Sequence, residues 1–417
     1  MSPAGRAGVH TTTRDKGPPA MTYFQSLSAA GFAATAVSFG PGRMGFGLFV
    51  PEFKATFAMS DTAVGLVSGL GFLGFFVALL LAQAMLGRTG PRAPVASGLL
   101  AAATGMALVA LAQGVPTLAL GVGLAGSSAG FAWTPFNDAV HRKIRDVDRP
   151  TALTEISTGT SLGVAVAGLA ALGLIATDLS WRACWAGFAV ASLIALAANW
   201  AALREVEPGG APRPRTAWDE LCHAAALPLF AVAFVYGTTS AIYISFAADH
   251  LRAAGGTLGL PASATPGLVF VIYGLCGLAG LATARINAAI GLATLLRGLM
   301  LAGAGSLTLV ALIPGTWAGL ILSAGLQGLH VMMVSAVLAS WSERLFPALP
   351  SLSFTAALLA TAGGSMIGPA LAGVAADIFS TPIMFLAAAT LPGTLVLALH
   401  PAWIRERAAM LDDLDPA

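Results

Sequence analysis

Residues 62–86 read TAVGLVSGLGFLGFFVALLLAQAML, 25 positions without one charged side chain. Crossing about 30 Å of hydrocarbon takes roughly 20 apolar residues in a helix, so this stretch is long enough to span a membrane. It shows no period-2 alternation, which excludes a strand of an outer-membrane barrel. Comparable runs recur near 24–50, 93–113, 115–140, 151–177 and 183–203. After a gap they return near 224–248, 265–284, 294–313, 316–341, 351–376 and 382–400. The 417 residues are 57% hydrophobic and 10% charged, with a mean hydropathy of +0.81. A soluble domain is about 45–50% apolar and about 25% charged. So few charges cannot clothe a water-facing surface, and the chain reads as an all-α integral membrane protein with twelve transmembrane helices.

The gap between the two sets of runs holds Arg204, Glu205 and Glu207, then Pro208-Gly209-Gly210, Pro212 and Pro214. That composition marks a linker. The expected organisation is a cytoplasmic tail (1–22), a six-helix bundle (23–203), a cytoplasmic linker (204–222), a second six-helix bundle (223–404) and a short tail (405–417). Basic residues set the orientation. Of 21 Lys and Arg, seventeen fall in segments that lie inside if the N-terminus is inside. Three (Lys54, Arg182, Arg252) fall outside, and Arg43 lies within a span. Both termini are therefore expected in the cytoplasm and the protein in the cytoplasmic (inner) membrane. The first twenty residues have no apolar core of the kind a signal peptide needs. Cys184, Cys222 and Cys276 have neither metal-type nor disulfide-framework spacing.

The halves resemble each other. TSLGVAVAG (160–168) faces GSMIGPALAG (364–373), and LAQAML (81–86) faces LATARI (281–286). Weak repeats at half-length are what a carrier built from two bundles leaves. With AMLGRTGPR (84–92), GSSAGFAWTPFNDAV (126–140) and SWRACWAGF (180–188), the chain resembles the major facilitator superfamily over nearly all its length. The family's loop motif reads Gly-x-x-x-Asp-Arg-x-Gly-x-Arg/Lys. Gln83 and Gly87 stand at its first Gly and its Asp, while Arg88, Gly90 and Arg92 match. Val122 stands where the family's fourth span usually carries arginine, and Gly163-Val164 replaces the Gly-Pro of antiporters. The resemblance implies two pseudo-symmetric six-helix bundles, with spans 1, 4, 7 and 10 lining a central cavity, but it carries over neither the antiport machinery nor a substrate.

Arg43 follows Gly40-Pro41-Gly42 in the first span. Pro41 cannot donate to the Val37 carbonyl, so the helix should loosen there. An ionisable group at such depth marks a substrate or ion path; the alternatives are snorkelling to the surface and a structural pair with an acid. Tyr236, Thr239, Ser240 and Tyr243 share one helical face, as do Ser323, Gln327 and His330, and Tyr273 lies midway along its span. These are candidate cavity residues, and each could equally serve interhelical hydrogen bonding; Trp133, Phe136 and Asn137 are further candidates, placed to touch a planar substrate. His330 is the candidate proton carrier. Arg88, Arg92, Asp138 and Glu155 are candidate inner-gate charges, or simply solvated ones.

No catalytic cluster, nucleophile elbow or phosphate loop occurs, so an enzyme is not expected, nor ATP drive. The reading is a secondary carrier that moves a small organic anion by alternating access, coupled to protons; the alternative is an exporter of hydrophobic or aromatic compounds. The expected partners are that small-molecule substrate and the lipid bilayer, with no cofactor, metal or nucleic acid, and the chain is expected to be a monomer.

Overall fold

The computed structural model describes residues 22–177, 179–206, 226–257, 259–399 and 403–404. The basic tail residues Arg6, Arg14, Lys16, Arg405 and Arg407 lie outside the described residues, as do Cys222 and the Pro/Gly-rich part of the linker. In lipid every backbone polar group must be satisfied within its own segment, and the chain meets that demand with helices. They are α1 (Tyr23–Val37), α2 (Gly45–Leu48), α3 (Val50–Phe57), α4 (Asp61–Thr89), α5 (Arg92–Ala110), α6 (Val115–Gly130), α7 (Trp133–Lys143) and α8 (Arg149–Thr177). There follow α9 (Trp181–Ala202), α10 (Leu227–Ala253), α11 (Thr265–Gly277), α12 (Thr283–Ile290), α13 (Leu292–Leu312), α14 (Trp317–Leu345), α15 (Pro350–Ile378) and α16 (Thr381–Ala398).

Eleven helical stretches among the described residues are long and apolar enough to cross a membrane. The first segment is absent from that set because it is broken. A seven-residue π-helical stretch, Ser38–Met44, contains Pro41 and joins α1 to α2. Proline lacks the N–H a continuous α-helix needs at that point, and π-bulges accommodate such a loss. The helical path then continues beyond the expected limit near residue 50, through Glu52 and Lys54 in α3, and stops at Ala58, whose φ is 50°. Polar caps mark other starts: the Ser60 side chain accepts from Ala63 N–H, and Thr316 accepts from Gly319 N–H.

Helices early in the chain pack against late ones along two seams, α4 on α15 and α8 on α11. The repeated small-residue segments build these seams. In α8, Gly163 abuts Ala36 of α1, and Gly168 lies so close to α11 that an added Cβ would sit 2.6 Å from the Gly267 carbonyl oxygen. In α15, Gly368 abuts Thr238 of α10, and a Cβ on Gly373 would sit 3.0 Å from the Asp61 carbonyl carbon of α4. The two glycines of each pair hold the same spacing, and corresponding positions meet corresponding neighbours. Outward faces carry Leu80, Leu193, Ile194 and Leu371, all exposed, as a lipid-facing surface requires.

Candidate functional site

The π-helical stretch delivers Arg43 to the middle of the assembly. Its guanidinium carbon lies 4.4 Å from the centroid of Phe75, 5.4 Å from Phe72 and 5.8 Å from Phe39. Phe72 and Phe75 belong to α4, and Phe39 to the stretch itself. A cation over aromatic faces gains about 0.5–1 kcal/mol when exposed and about 2 when desolvated. Arg43 Nε is buried without a hydrogen-bond partner, and no ion pair to Arg43 occurs among the described residues. The charge therefore rests on rings, an arrangement distinct from both an acid pair and a surface-seeking side chain. Across from it stand Tyr236 and Tyr273, within electrostatic range of the guanidinium.

Those tyrosines belong to a wall made by α10, α11 and α14. The Tyr236 hydroxyl donates to the Val331 carbonyl at 3.3 Å, and the Tyr243 hydroxyl shares a hydrogen bond with Ser323 Oγ at 3.3 Å. The rings of Tyr243 and Tyr273 stack at 6.4 Å and 27°. His330 Nδ1 lies 2.7 Å from the Leu299 carbonyl on α13. A carbonyl only accepts, so Nδ1 carries the hydrogen and Nε2 is left bare; Nε2 has no partner. The His330 ring also meets Tyr236 edge-on at 5.7 Å. Between Met44, Tyr243, Ile244, Val269, Phe270 and Tyr273 lies a cavity of only 10 Å³, about the least that holds one water.

One end of the assembly is sealed by charges. Lys54 Nζ bridges Asp61 Oδ1 and Asp249 Oδ2, each at 2.8 Å, and Arg252 pairs with Glu52. Asp377, at the end of α15, accepts the N–H groups of Asp61 at 3.1 Å and Thr62 at 2.9 Å, so it caps the positive N-terminus of α4. Just inside, Ser68 and Ser245 hydroxyls meet at 2.5 Å. At the opposite end Gln83 Nε2 donates to Thr355 Oγ1 at 2.9 Å, again joining α4 to α15. Gln83 is one of the two residues, with Gly87, that depart from the loop motif.

Asp138 pairs with Arg142 one turn along the same helix at 2.7 Å, and Arg92 stacks over Trp200 at 3.7 Å. Arg88 and Glu155 are exposed. Asn137 and Trp133 are half-buried on α7. Phe136 is a correction: it is fully buried, with Leu27, Val95 and Ile156, in a hydrophobic core. Leu27, Val95 and Ile156 come from α1, α5 and α8, which only packing brings against Phe136. The sealing charges Glu52, Lys54, Asp61, Asp249, Arg252 and Asp377 went unread as a site. The usable signal was that two of the three outer basic residues, Lys54 and Arg252, each have an acid within three positions.

Comparison with known proteins agrees with this architecture. The family model for the Major Facilitator Superfamily matches residues 29–291, while no curated protein matches by sequence. Among solved structures, a point mutant of the nucleoside transporter NupG superposes with a TM-score of 0.74 at 14% identity, over 92% of this chain and 100% of that one. A bacterial homologue of the human lysosomal transporter Spinster, inward-facing and occupied, superposes with a TM-score of 0.69 at 15% identity, over 96% and 100%. At such identities the likeness is one of fold, but the family match covers well over half of the sequence, and the chain belongs to the Major Facilitator Superfamily.

Proposed function

We propose that the protein is a secondary active transporter that moves a small organic anion across the cytoplasmic membrane by alternating access, together with protons. The observation that carries the anion is Arg43: a permanent cation held on three phenylalanine rings, with no acid beside it, between the early and late helices. Charges at membrane depth are expensive and are kept for pathways. In this reading the broken segment 23–57 counts as the twelfth span, and residues 23–203 and 223–404 form the two bundles. The linker 204–222 and both termini lie in the cytoplasm, and the chain works as a monomer without a cofactor. The end sealed by Lys54 then faces outward and is closed.

The testing experiment is a thermal-shift screen of purified protein against small carboxylates, sulfonates, sugars and lipophilic cations. A ligand bound only to the folded state at 100 times its Kd stabilises it by about 2.7 kcal/mol. Anions are expected to raise the melting temperature. A screen in which only neutral or cationic lipophilic compounds do so rejects the anion and supports export of hydrophobic compounds.

Proton coupling is assigned to His330, whose bare Nε2 faces no partner. In proteoliposomes, uptake of the anion found above is expected to depend on an imposed pH gradient and to lose that dependence in His330→Asn. Asparagine cannot carry a proton but can still donate to the Leu299 carbonyl. Uptake indifferent to the gradient, or a variant with unchanged dependence, rejects the assignment.

A further inference from the structure

The polar atoms of the central wall divide sharply into those with partners and those without. Tyr236 and Tyr243 have committed their hydroxyls to α14. Thr239 donates to the Val235 carbonyl of its own helix at 2.9 Å, and His330 Nδ1 is committed to Leu299. Besides His330 Nε2, four atoms on three further side chains have no partner among the described residues: Ser240 Oγ, the Tyr273 hydroxyl, and both the oxygen and the nitrogen of the Gln327 amide. These residues are 6%, 3% and 1% exposed. Buried polar groups are nearly always hydrogen-bonded, and at membrane depth the requirement is stricter. Three such side chains on one wall are unusual.

Their positions converge. Gln327 lies on α14 one turn after Ser323, which holds Tyr243, and one turn before Val331, which holds Tyr236. It therefore lies against the face of α10 that carries Ser240, between those two tyrosines. The next residue, Gly328, touches the backbone carbon of Tyr273, to which an added Cβ would come within 2.9 Å. Met44, next to Arg43 in the chain, lines a small cavity together with Tyr243 and Tyr273. A cation contributed by the first segment thus faces an uncharged, unsatisfied hydrogen-bonding set contributed by α10, α11 and α14.

The chemistry of the two sides differs. Arginine only donates, whereas serine and tyrosine hydroxyls and the glutamine amide each both donate and accept. A bare carboxylate satisfies Arg43 but brings no hydrogen for the Gln327 carbonyl oxygen. A hydroxyl group both gives and accepts, and so matches the far wall. We infer that the substrate is a hydroxylated organic anion, its carboxylate on Arg43 and a hydroxyl on Gln327, Tyr273 and Ser240. This rests on the anion reading above and makes Gln327 and Tyr273 the residues that set specificity within it.

The test uses purified full-length protein and calorimetric affinities for straight-chain carboxylates of two to six carbons, each with and without a terminal hydroxyl. At least one hydroxylated acid is expected to bind about tenfold or more tighter than its plain partner, because a site built to bond a hydroxyl rejects the analogue lacking it. Gln327→Leu is expected to bring that ratio to about one. Tyr273→Phe keeps the ring and the stack on Tyr243 and is expected to lower the ratio in a protein of normal melting temperature. Equal affinity within every pair overturns this inference and leaves the anion reading standing. A ratio that survives both variants also overturns it. Failure of either series to bind at all overturns both.

Discussion

Arg43→Ala is expected to lose nearly all anion binding while the protein folds normally. A hydrogen bond to a charged group is worth about 1.5–3 kcal/mol, which is roughly ten- to a hundredfold in affinity. Arg43→Lys keeps the charge but is expected to lose most of the binding too. A guanidinium holds a carboxylate through two parallel bonds that an ammonium cannot reproduce. Stability should move differently from affinity. Truncation forfeits the contacts to Phe39, Phe72 and Phe75, worth about 2 kcal/mol when desolvated, but it also removes a partly buried charge with no counter-ion among the described residues, and burial without a partner is costly. The two changes offset each other, so the melting temperature should stay near that of the wild type. Measuring affinity and melting temperature on the same two variants separates the possibilities. Normal anion affinity in Arg43→Ala ends the recognition role. A collapsed melting temperature with unchanged affinity makes Arg43 a structural element of the α4 contact.

Gly47→Ala is expected to abolish transport without unfolding the protein. Gly47 of α2 lies directly against α10. An added Cβ would overlap the Ile244 carbonyl oxygen and lie 2.8 Å from its carbonyl carbon. Backbone cannot swing aside as a side chain can, so the two helices must separate. That separation also pulls apart the Lys54–Asp249 and Glu52–Arg252 pairs a few residues further on. Overpacking costs about 1–3 kcal/mol, enough to move a two-state equilibrium roughly 5- to 150-fold. The cost falls on the state closed at the Lys54 end and spares one opened there, so a carrier that must visit both stalls.

The readout is a cysteine placed at Ser245, whose hydroxyl is buried against Ser68 in the closed arrangement, in a background with the three natural cysteines replaced. An impermeant thiol reagent added outside cells should label it slowly in the otherwise normal protein, which opens there only transiently, and much faster once Gly47→Ala is added. Persistent protection together with normal transport would show that closure at this end tolerates the extra methyl.

How much of this was legible in the sequence varied with the range of the interaction. The spans at 62–86 and 382–400 could be read directly, because a helix in lipid satisfies its own backbone and needs only length and apolarity. The looseness at Pro41 could also be read, since a missing N–H is a local fact, although the π-helical form it takes was not specified. Arg43 stood out as a lone charge within an apolar segment, yet its three phenylalanine neighbours did not. Two of them are contributed by α4, and only packing brings them over the guanidinium. Phe136 was misplaced because its core neighbours Leu27, Val95 and Ile156 belong to three other helices that only packing brings against it.

The polar stripes show the division most clearly. Helical spacing put Tyr236, Ser240 and Tyr243 on one face and Ser323, Gln327 and His330 on another, and periodicity can do no more than that. Whether a hydroxyl is committed or free depends on the acceptor that another helix supplies: Val331 for Tyr236, Ser323 for Tyr243, and none for Tyr273. Likewise Lys54 and Asp249 are 195 positions apart, and Asp377 reaches the N-terminus of α4 from 315 residues away. By itself, the sequence determined that the chain crosses a membrane many times as helices and carries one permanent cation at depth, since hydrophobic length and charge are properties of contiguous residues. Only the tertiary structure decided what that cation rests on, which buried groups lack partners and which end is sealed, because each of those is set by distances between helices that no local pattern encodes.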